Sequence, residues 1–319
     1  MPTAFTELVR CRLPLQQAGM GSVAGPELAA AVTGAGALGM LGMPAGADAL
    51  RGTVEQLRSR TDGPVGINFL MPFLDRDAVE VAAELLPLVE FFYGEPDASL
   101  VALVHAGGAL AAWQVGSLAE AQAAEDAGCD LVIAQGVEAG GHVRGTSART
   151  ALLHEVLGVV RVPVVAAGGI GTAEDVGAVL AAGAAAARVG TRFVATAEAD
   201  AHADYQRALV TAEAHDTVLT TAFSVLWPDA PHRVLAASVR AAEAHPGDDV
   251  GFTPAPDGAR MPIPRLSPIP PSRTTEGTVG AMALYAGESV SAVRAVAGAA
   301  DVVRELAAGI DQRFTGYSR

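Results

Sequence analysis

Short apolar runs alternate with longer amphipathic or alanine-rich stretches over residues 12–191. The runs are 12–17 (RLPLQQ), 37–43 (ALGMLGM), 65–70 (VGINFL), 89–93 (VEFFY), 110–115 (LAAWQV), 130–134 (DLVIA), 161–167 (RVPVVAA) and 185–189 (AAARV). Their lengths, and the small or turn-forming residues that flank most of them, predict buried strands. The intervening stretches 26–33, 47–60, 75–86, 98–105, 118–127 and 172–183 predict helices. Pro26 stands in a first helical turn, where its missing N–H costs nothing. Thr172-Ala173-Glu174-Asp175 combines an N-cap residue with acidic residues in a first turn. Eight strands separated by helices give an α/β chain and a TIM (β/α)8 barrel. A doubly wound open sheet is the runner-up, but its dinucleotide fingerprint should follow the first strand. Gly19-Met20-Gly21-Ser22-Val23-Ala24 matches that fingerprint only weakly.

The pattern changes after Thr191. Residues 201–244 read as helical. Residues 247–272 carry Pro254, Pro256, Pro262, Pro264, Pro268, Pro270 and Pro271, which predicts an extended, irregular path. Residues 278–285 and a helix over 290–308 end the pattern. The barrel is therefore expected over 1–205 and 280–319. Residues 206–279 would be a mostly helical and irregular lid, inserted after the eighth strand and lying over the C-terminal face.

Composition narrows the chemistry. With 21 basic and 35 acidic residues in 319, the formal charge is −14, which argues against nucleic acid as a partner. All the basic residues are arginine. Without lysine, Schiff-base chemistry, lysine P-loops and pyridoxal phosphate are excluded. Two cysteines, Cys11 and Cys129, are too few for a disulfide framework or a zinc site, and no metal is expected. Cys129 opens a buried strand and reads as packing. Residues 28–47 are uncharged, but Gly34, Gly36, Gly39, Gly42 and Pro44 interrupt them, so no membrane segment is expected. The N-terminus shows no signal pattern, and a cytoplasmic protein is the expectation.

Candidate chemistry gathers at strand ends. The sixth strand runs into Gln135-Gly136-Val137-Glu138-Ala139-Gly140-Gly141-His142, where glycines allow close approach to a ligand and a histidine follows. The seventh and eighth strands end in Gly168-Gly169 and Gly190-Thr191. Barrels of this type commonly hold a phosphate in those two loops, on free backbone N–H groups helped by the following helix. His105 and His154 sit in helical segments, and His202, His215, His232 and His245 lie in or near the insertion. Surface or capping roles suit these, with His232 set apart by its place beside Pro231 and Arg233.

Gln17-Ala18-Gly19-Met20, Gly66-Ile67-Asn68, the Gln135–His142 element, Ala166-Ala167-Gly168-Gly169-Ile170, Val189-Gly190-Thr191-Arg192-Phe193 and Tyr285-Ala286-Gly287-Glu288-Ser289 together resemble the nitronate monooxygenase family, formerly 2-nitropropane dioxygenases. The likeness runs essentially end to end. It implies a barrel with an inserted lid and FMN held non-covalently at the C-terminal face. Cofactor contacts implied in this way are Met20, Asn68, Gln114, Gln135, Gly140, Gly168, Gly169, Gly190 and Thr191. The implied catalytic residue is His142, which would bind a nitronate anion or take a carbon proton from a neutral nitroalkane. FMN and dioxygen would then carry the oxidation to a carbonyl compound and nitrite. Implied partners are a small nitronate or nitroalkane and O2, and a homodimer is left open. Three departures stand out: Gln114 where some members have lysine, Gly19 where proline is usual, and Glu288 where glutamine is common.

An FMN-dependent enoyl-ACP reductase shares a Gly-Gly-His element and is the alternative. It would need a nicotinamide donor and docking by an acidic carrier protein, which a chain at −14 discourages. A phosphate-binding protein or sugar-phosphate isomerase on the same barrel would be colourless. Dehydrogenases of the inosinate type need a loop cysteine, which neither Cys11 nor Cys129 provides.

Overall fold

A computed structural model describes residues 2–254 and 258–315, with side chains of 311–315 left out. Pro256 lies outside the described residues. The strands are β1 (Leu15–Gln17), β2 (Gly39–Leu41), β3 (Val65–Leu70), β4 (Leu88–Phe92), β5 (Leu110–Val115), β6 (Leu131–Gln135), β7 (Gly141–His142), β8 (Val164–Ala167) and β9 (Ala186–Val189). All but β7 form one parallel sheet in the order β1-β9-β8-β6-β5-β4-β3-β2. A parallel bridge between Gln16 and Leu38 joins its ends and closes the barrel.

Alternate residues of a barrel strand face inward, and here the inward rows change character along the strands. Leu88, Ala112, Ile133 and Ala186 belong to one buried apolar cluster. Two residues further on in the same strands stand Glu90, Gln114, Gln135 and Arg188, all buried and polar. The floor is thus apolar at the N-terminal end and polar beneath the C-terminal mouth. The helix Ala4–Val9 plugs the N-terminal end with Phe5 and Val9, an element the sequence pattern did not foretell.

The C-terminal helix Ala299–Thr315 closes the outside of the barrel. Its Gly309 lies against the first turn of helix Ala173–Ala181, where a Cβ would meet Ala173 O at 1.8 Å. This helix begins later than expected. Residues 290–298 hold the end of a 3-10 turn, Glu288–Ala292, and an irregular stretch instead. Strands one and two are also shorter than predicted: Pro14 has no N–H to give before β1, and after β2 Gly42 N turns to Ala24 O instead of the sheet.

The stretch 201–244, expected to be helical, is broken. Helix Ala203–Thr211 is followed by β10 (Thr217–Thr220), β11 (His232–Leu235) and helix Ala236–Ala244. Strand β11 pairs antiparallel with both β10 and β7. β-Branched residues such as Thr217, Val218 and Thr220 favour strands, and their alternation was lost among neighbouring alanines. The proline-rich stretch is likewise not wholly irregular. It forms β12 (Asp249–Pro254) and β13 (Arg260–Pro264), with β14 (Glu276–Gly277) on the other edge of β12. Pro262 and Pro264 sit on the outer strand, where a missing N–H is tolerated.

Candidate active site

A cavity of about 500 Å³ opens above the polar floor. Met20, Asn68, Gln114, Gln135, Gly140, Gly168, Gly169, Gly190, Thr191 and His142 all line it, so the fold brings together every expected site residue. Its wall also contains Arg188, Trp227 and Tyr285, which come from β9, the 221–231 loop and the C-terminal segment.

The Gln135–His142 element can be read residue by residue. Gln135 Nε2 donates to His142 O (3.1 Å), folding the loop back on its strand. Glu138 is a helix cap: both carboxylate oxygens accept from Arg149 N at 3.0 Å, at the start of helix Arg149–Leu157. Arg149 Nη1 in turn donates to Gly168 O (2.8 Å), tying this loop to the one after β8. Gly140 packs backbone to backbone on Gly287, and Gly141 turns at φ +75° to deliver His142. His142 then pairs with His232 across β7 and β11.

The tail closes the arrangement. Gly287 N donates to Thr191 Oγ1 (3.0 Å), and Glu288 N donates to Glu138 O (3.0 Å). Tyr285–Ser289 thereby ties the loop after β6 to the loop after β9. Glu288 faces Arg233 at 3.4 Å, so its charge is balanced by an arginine, and it is not among the residues lining the cavity. Gly19 also has a local cause: a Cβ there would lie 2.5 Å from Asn68 Cβ.

Two N–H groups between the Gly168-Gly169 loop and the next helix are already taken. At the start of helix Ala173–Ala181, the N–H groups of Gly171 and Thr172 both donate to Asp175 (3.0 Å each) in a capping box. The carboxylate thus occupies two N–H groups that precede the helix, while those of Ala173 and Glu174 in its first turn have no intrahelical acceptor. The same holds for Thr191 and Arg192, the first-turn residues of helix Thr191–Val194, and no side chain caps that helix.

Around His142 the contacts are rings. Trp227 stacks on it at 3.8 Å between centroids and 19° between planes. Tyr93 meets it edge-on at 5.7 Å, and His232 and Tyr285 stand at 5.3 and 5.7 Å. Among the described residues neither imidazole nitrogen has a hydrogen-bond partner. Burial, with the neighbouring His232 adding to it, pushes the His142 pKa down to about 3. The ring is therefore neutral at pH 7, able to accept a proton and not a standing cation.

His232 is different. Its Nδ1 lies 2.8 Å from Ala230 O, and Phe223 N donates to its Nε2 at 3.2 Å. A backbone donor at Nε2 requires the proton on Nδ1, and burial lowers the pKa against the pull of the Ala230 carbonyl. Fully buried and locked neutral, His232 is structural. His105 forms a surface contact with Asp130 (2.9 Å), and Cys129 is buried with its thiol pushed up to about 12 by desolvation.

Three features were not read from the sequence. Arg188 forms a buried ion pair with Glu90, whose other oxygen accepts from Asn68 Nδ2 (2.7 Å). The charged residues inside the apolar runs AARV and VEFF were the available signal. Trp227 and Tyr93 reach His142 from separate loops, which no local spacing reveals. Gln114 lines the cavity beside this network, so the cationic group here is Arg188 on a neighbouring part of the floor rather than a lysine at 114.

The sequence profile of the nitronate monooxygenase family matches residues 3–84 and 77–309. The chain belongs to this family. A nitronate monooxygenase of Paraburkholderia phytofirmans is 32% identical, covering 97% of this chain and 96% of that one. A (3aS,4S,5R,7aS)-5-hydroxy-7a-methyl-1-oxo-octahydro-1H-indene-4-carboxyl-CoA dehydrogenase of Rhodococcus jostii is 34% identical, over 79% and 71% of the two chains. The crystal structure of nitroalkane oxidase from Streptomyces ansochromogenes superposes with a TM-score of 0.80 at 32% identity, covering 98% of this chain and 100% of that one. The family is one of oxidoreductases acting on small molecules, and the barrel is its fold. No helix among the described residues is long and apolar enough to cross a membrane.

Proposed function

We propose that this member of the nitronate monooxygenase family holds FMN non-covalently and oxidises alkyl nitronates, and neutral nitroalkanes after proton removal, with O2 to a carbonyl compound and nitrite. The carrying observation is His142: a neutral imidazole with both nitrogens unpartnered among the described residues, in the wall of a cavity with a polar floor.

The residues present fit a flavin. Gln135 Oε1 is buried without a protein partner and awaits a donor. At Gly190 a Cβ would meet only Ala18 Cβ and Met20 Sδ, at 3.6 and 3.8 Å, and at Gly141 nothing within 4 Å, so both leave room for a ligand. Gly168, Gly169, Gly190 and Thr191 would hold the phosphate on backbone N–H groups. Met20, Asn68, Gln114, Gln135 and Gly140 would line the ring. Bound FMN would supply the electron acceptor and the reaction with dioxygen.

His142 takes the carbon proton of a neutral nitroalkane on a ring nitrogen, and the C–H pair remains on the substrate as the nitronate. The developing anion favours the imidazolium and raises the basicity that burial has lowered. Residues 206–279 act as the lid, since β11 and Trp227 cover the His142 side of the mouth.

The experiment is His142→Asn. Flavin content should stay, activity on a neutral nitroalkane should fall by about 10²–10⁴-fold, and activity on a preformed nitronate should fall less. Equal loss on both would make His142 an anion-binding group. Full activity on both would remove it from the chemistry.

A further inference from the structure

A base is usually aimed by a hydrogen bond from its second ring nitrogen to a carboxylate or carbonyl. His142 has no such partner among the described residues. Its backbone is fixed, through Gln135 Nε2 to its carbonyl and through the β7–β11 pairing. Its ring can still rotate about χ1 and χ2, and the remaining constraint is packing.

That packing is directional. Trp227 covers one imidazole face at 3.8 Å and 19°. Tyr93 presents an edge, and His232 and Tyr285 complete the cage at wider angles. Trp227 is in turn held by edge contacts with Tyr93 (4.7 Å, 77°) and Phe73 (5.1 Å, 89°). Its backbone N donates to Ser224 O (3.1 Å), inside a loop where Leu226 (φ 69°) and Asp229 (φ 55°) adopt left-handed conformations. Such conformations are costly for non-glycine residues and persist where the surroundings impose them. The loop thus spends conformational energy to bring the indole over the imidazole.

We infer that Trp227 is the positioning residue for His142: its indole face fixes the imidazole plane, keeps water off it and turns its nitrogen-bearing edge to the cavity. Trp227 comes from the inserted segment, so the base is aimed only while that segment lies over the barrel mouth. The inference rests on His142 being the base, and the test separates the two. The titratable or charged groups facing this cage are His232, Tyr93 and Tyr285, with Arg144 lying 6.0 Å from the Tyr93 ring.

The test compares Trp227→Phe and Trp227→Leu in the full-length, flavin-loaded protein, with Trp227→Met as a second non-aromatic variant should leucine not fold. Two readouts are taken: the pH titration of His142 by imidazole NMR, assigned with His142→Asn, and kcat on nitroethane against its preformed nitronate. In the parent, His142 should stay neutral from about pH 5 to 8. In Trp227→Leu, where water reaches the uncovered imidazole face, its titration should move up towards the ordinary value of ~6.5. The same variant should lose at least ~10-fold in kcat on nitroethane and no more than ~3-fold on the nitronate. Trp227→Phe, which keeps an aromatic face, should restore both readouts to within ~3-fold of the parent. An unchanged titration and kcat in the leucine or methionine variant overturns the inference, as does failure of phenylalanine to restore them. Full nitroethane activity in His142→Asn would instead defeat the assignment of the base, whatever Trp227 does to the titration.

Discussion

Gly140 and Gly287 touch backbone to backbone. A Cβ on Gly140 would lie 2.3 Å from Gly287 N, and one on Gly287 would lie 2.7 Å from Gly140 N. These contacts join the loop that carries His142 to the tail that reaches Thr191, so two strand ends and a distant segment share one rigid junction.

Gly140→Ala should therefore push the two segments apart. Overpacking of this kind costs about 1–3 kcal/mol, and the displaced tail should release Thr191 Oγ1 as well. Urea unfolding and flavin titration on the same protein check this. Parent-like stability with parent-like flavin affinity would show that the junction yields without consequence.

Arg188 and Glu90 make a second prediction. Glu90 is fully buried and Arg188 nearly so, and they pair beneath the cavity. Glu90→Ala leaves a buried guanidinium without its anion and should cost about 3–5 kcal/mol. Glu90→Ala combined with Arg188→Met should cost less than the single glutamate change, because the stranded charge is gone. Chemical denaturation of the three variants measures it, and additive losses would count against the pair.

Stability should also depend on pH through the cage. Unfolded, His142 takes its proton near 6.5; folded, only near 3. His232 is shifted in the same direction. Between those values the unfolded chain binds more protons, so this contribution is fully present above pH 6.5 and is lost as the pH falls towards 3. The slope is at most about 1.4 kcal/mol per pH unit for each group. Urea midpoints between pH 7 and 5 should fall in the parent and fall less in His142→Asn. Identical slopes would mean that His142 titrates normally in the folded protein.

The barrel was legible because each strand is a short apolar run bounded by turn residues. The candidate site was legible as a cluster because barrels place chemistry at C-terminal strand ends, and Gln135, Gly168 and Gly190 stand there around one cavity. The insertion was read poorly. Its strand β11 carries His232 and Arg233 and pairs with a two-residue strand at His142, a partnership set by tertiary contact and invisible to local periodicity. The Trp227–His142 stack is hidden for the same reason. Less legible was the share of a helix terminus that its own residues occupy: Asp175 accepts from Gly171 N and Thr172 N in a capping box.

The most direct measurement is the anaerobic absorbance of the purified protein, followed after adding a nitronate and, separately, NADPH. The protein should be yellow, release FMN on denaturation, and lose its flavin absorbance with the nitronate but not with NADPH. A colourless protein that takes up no flavin, or one bleached by NADPH and untouched by the nitronate, would contradict the account.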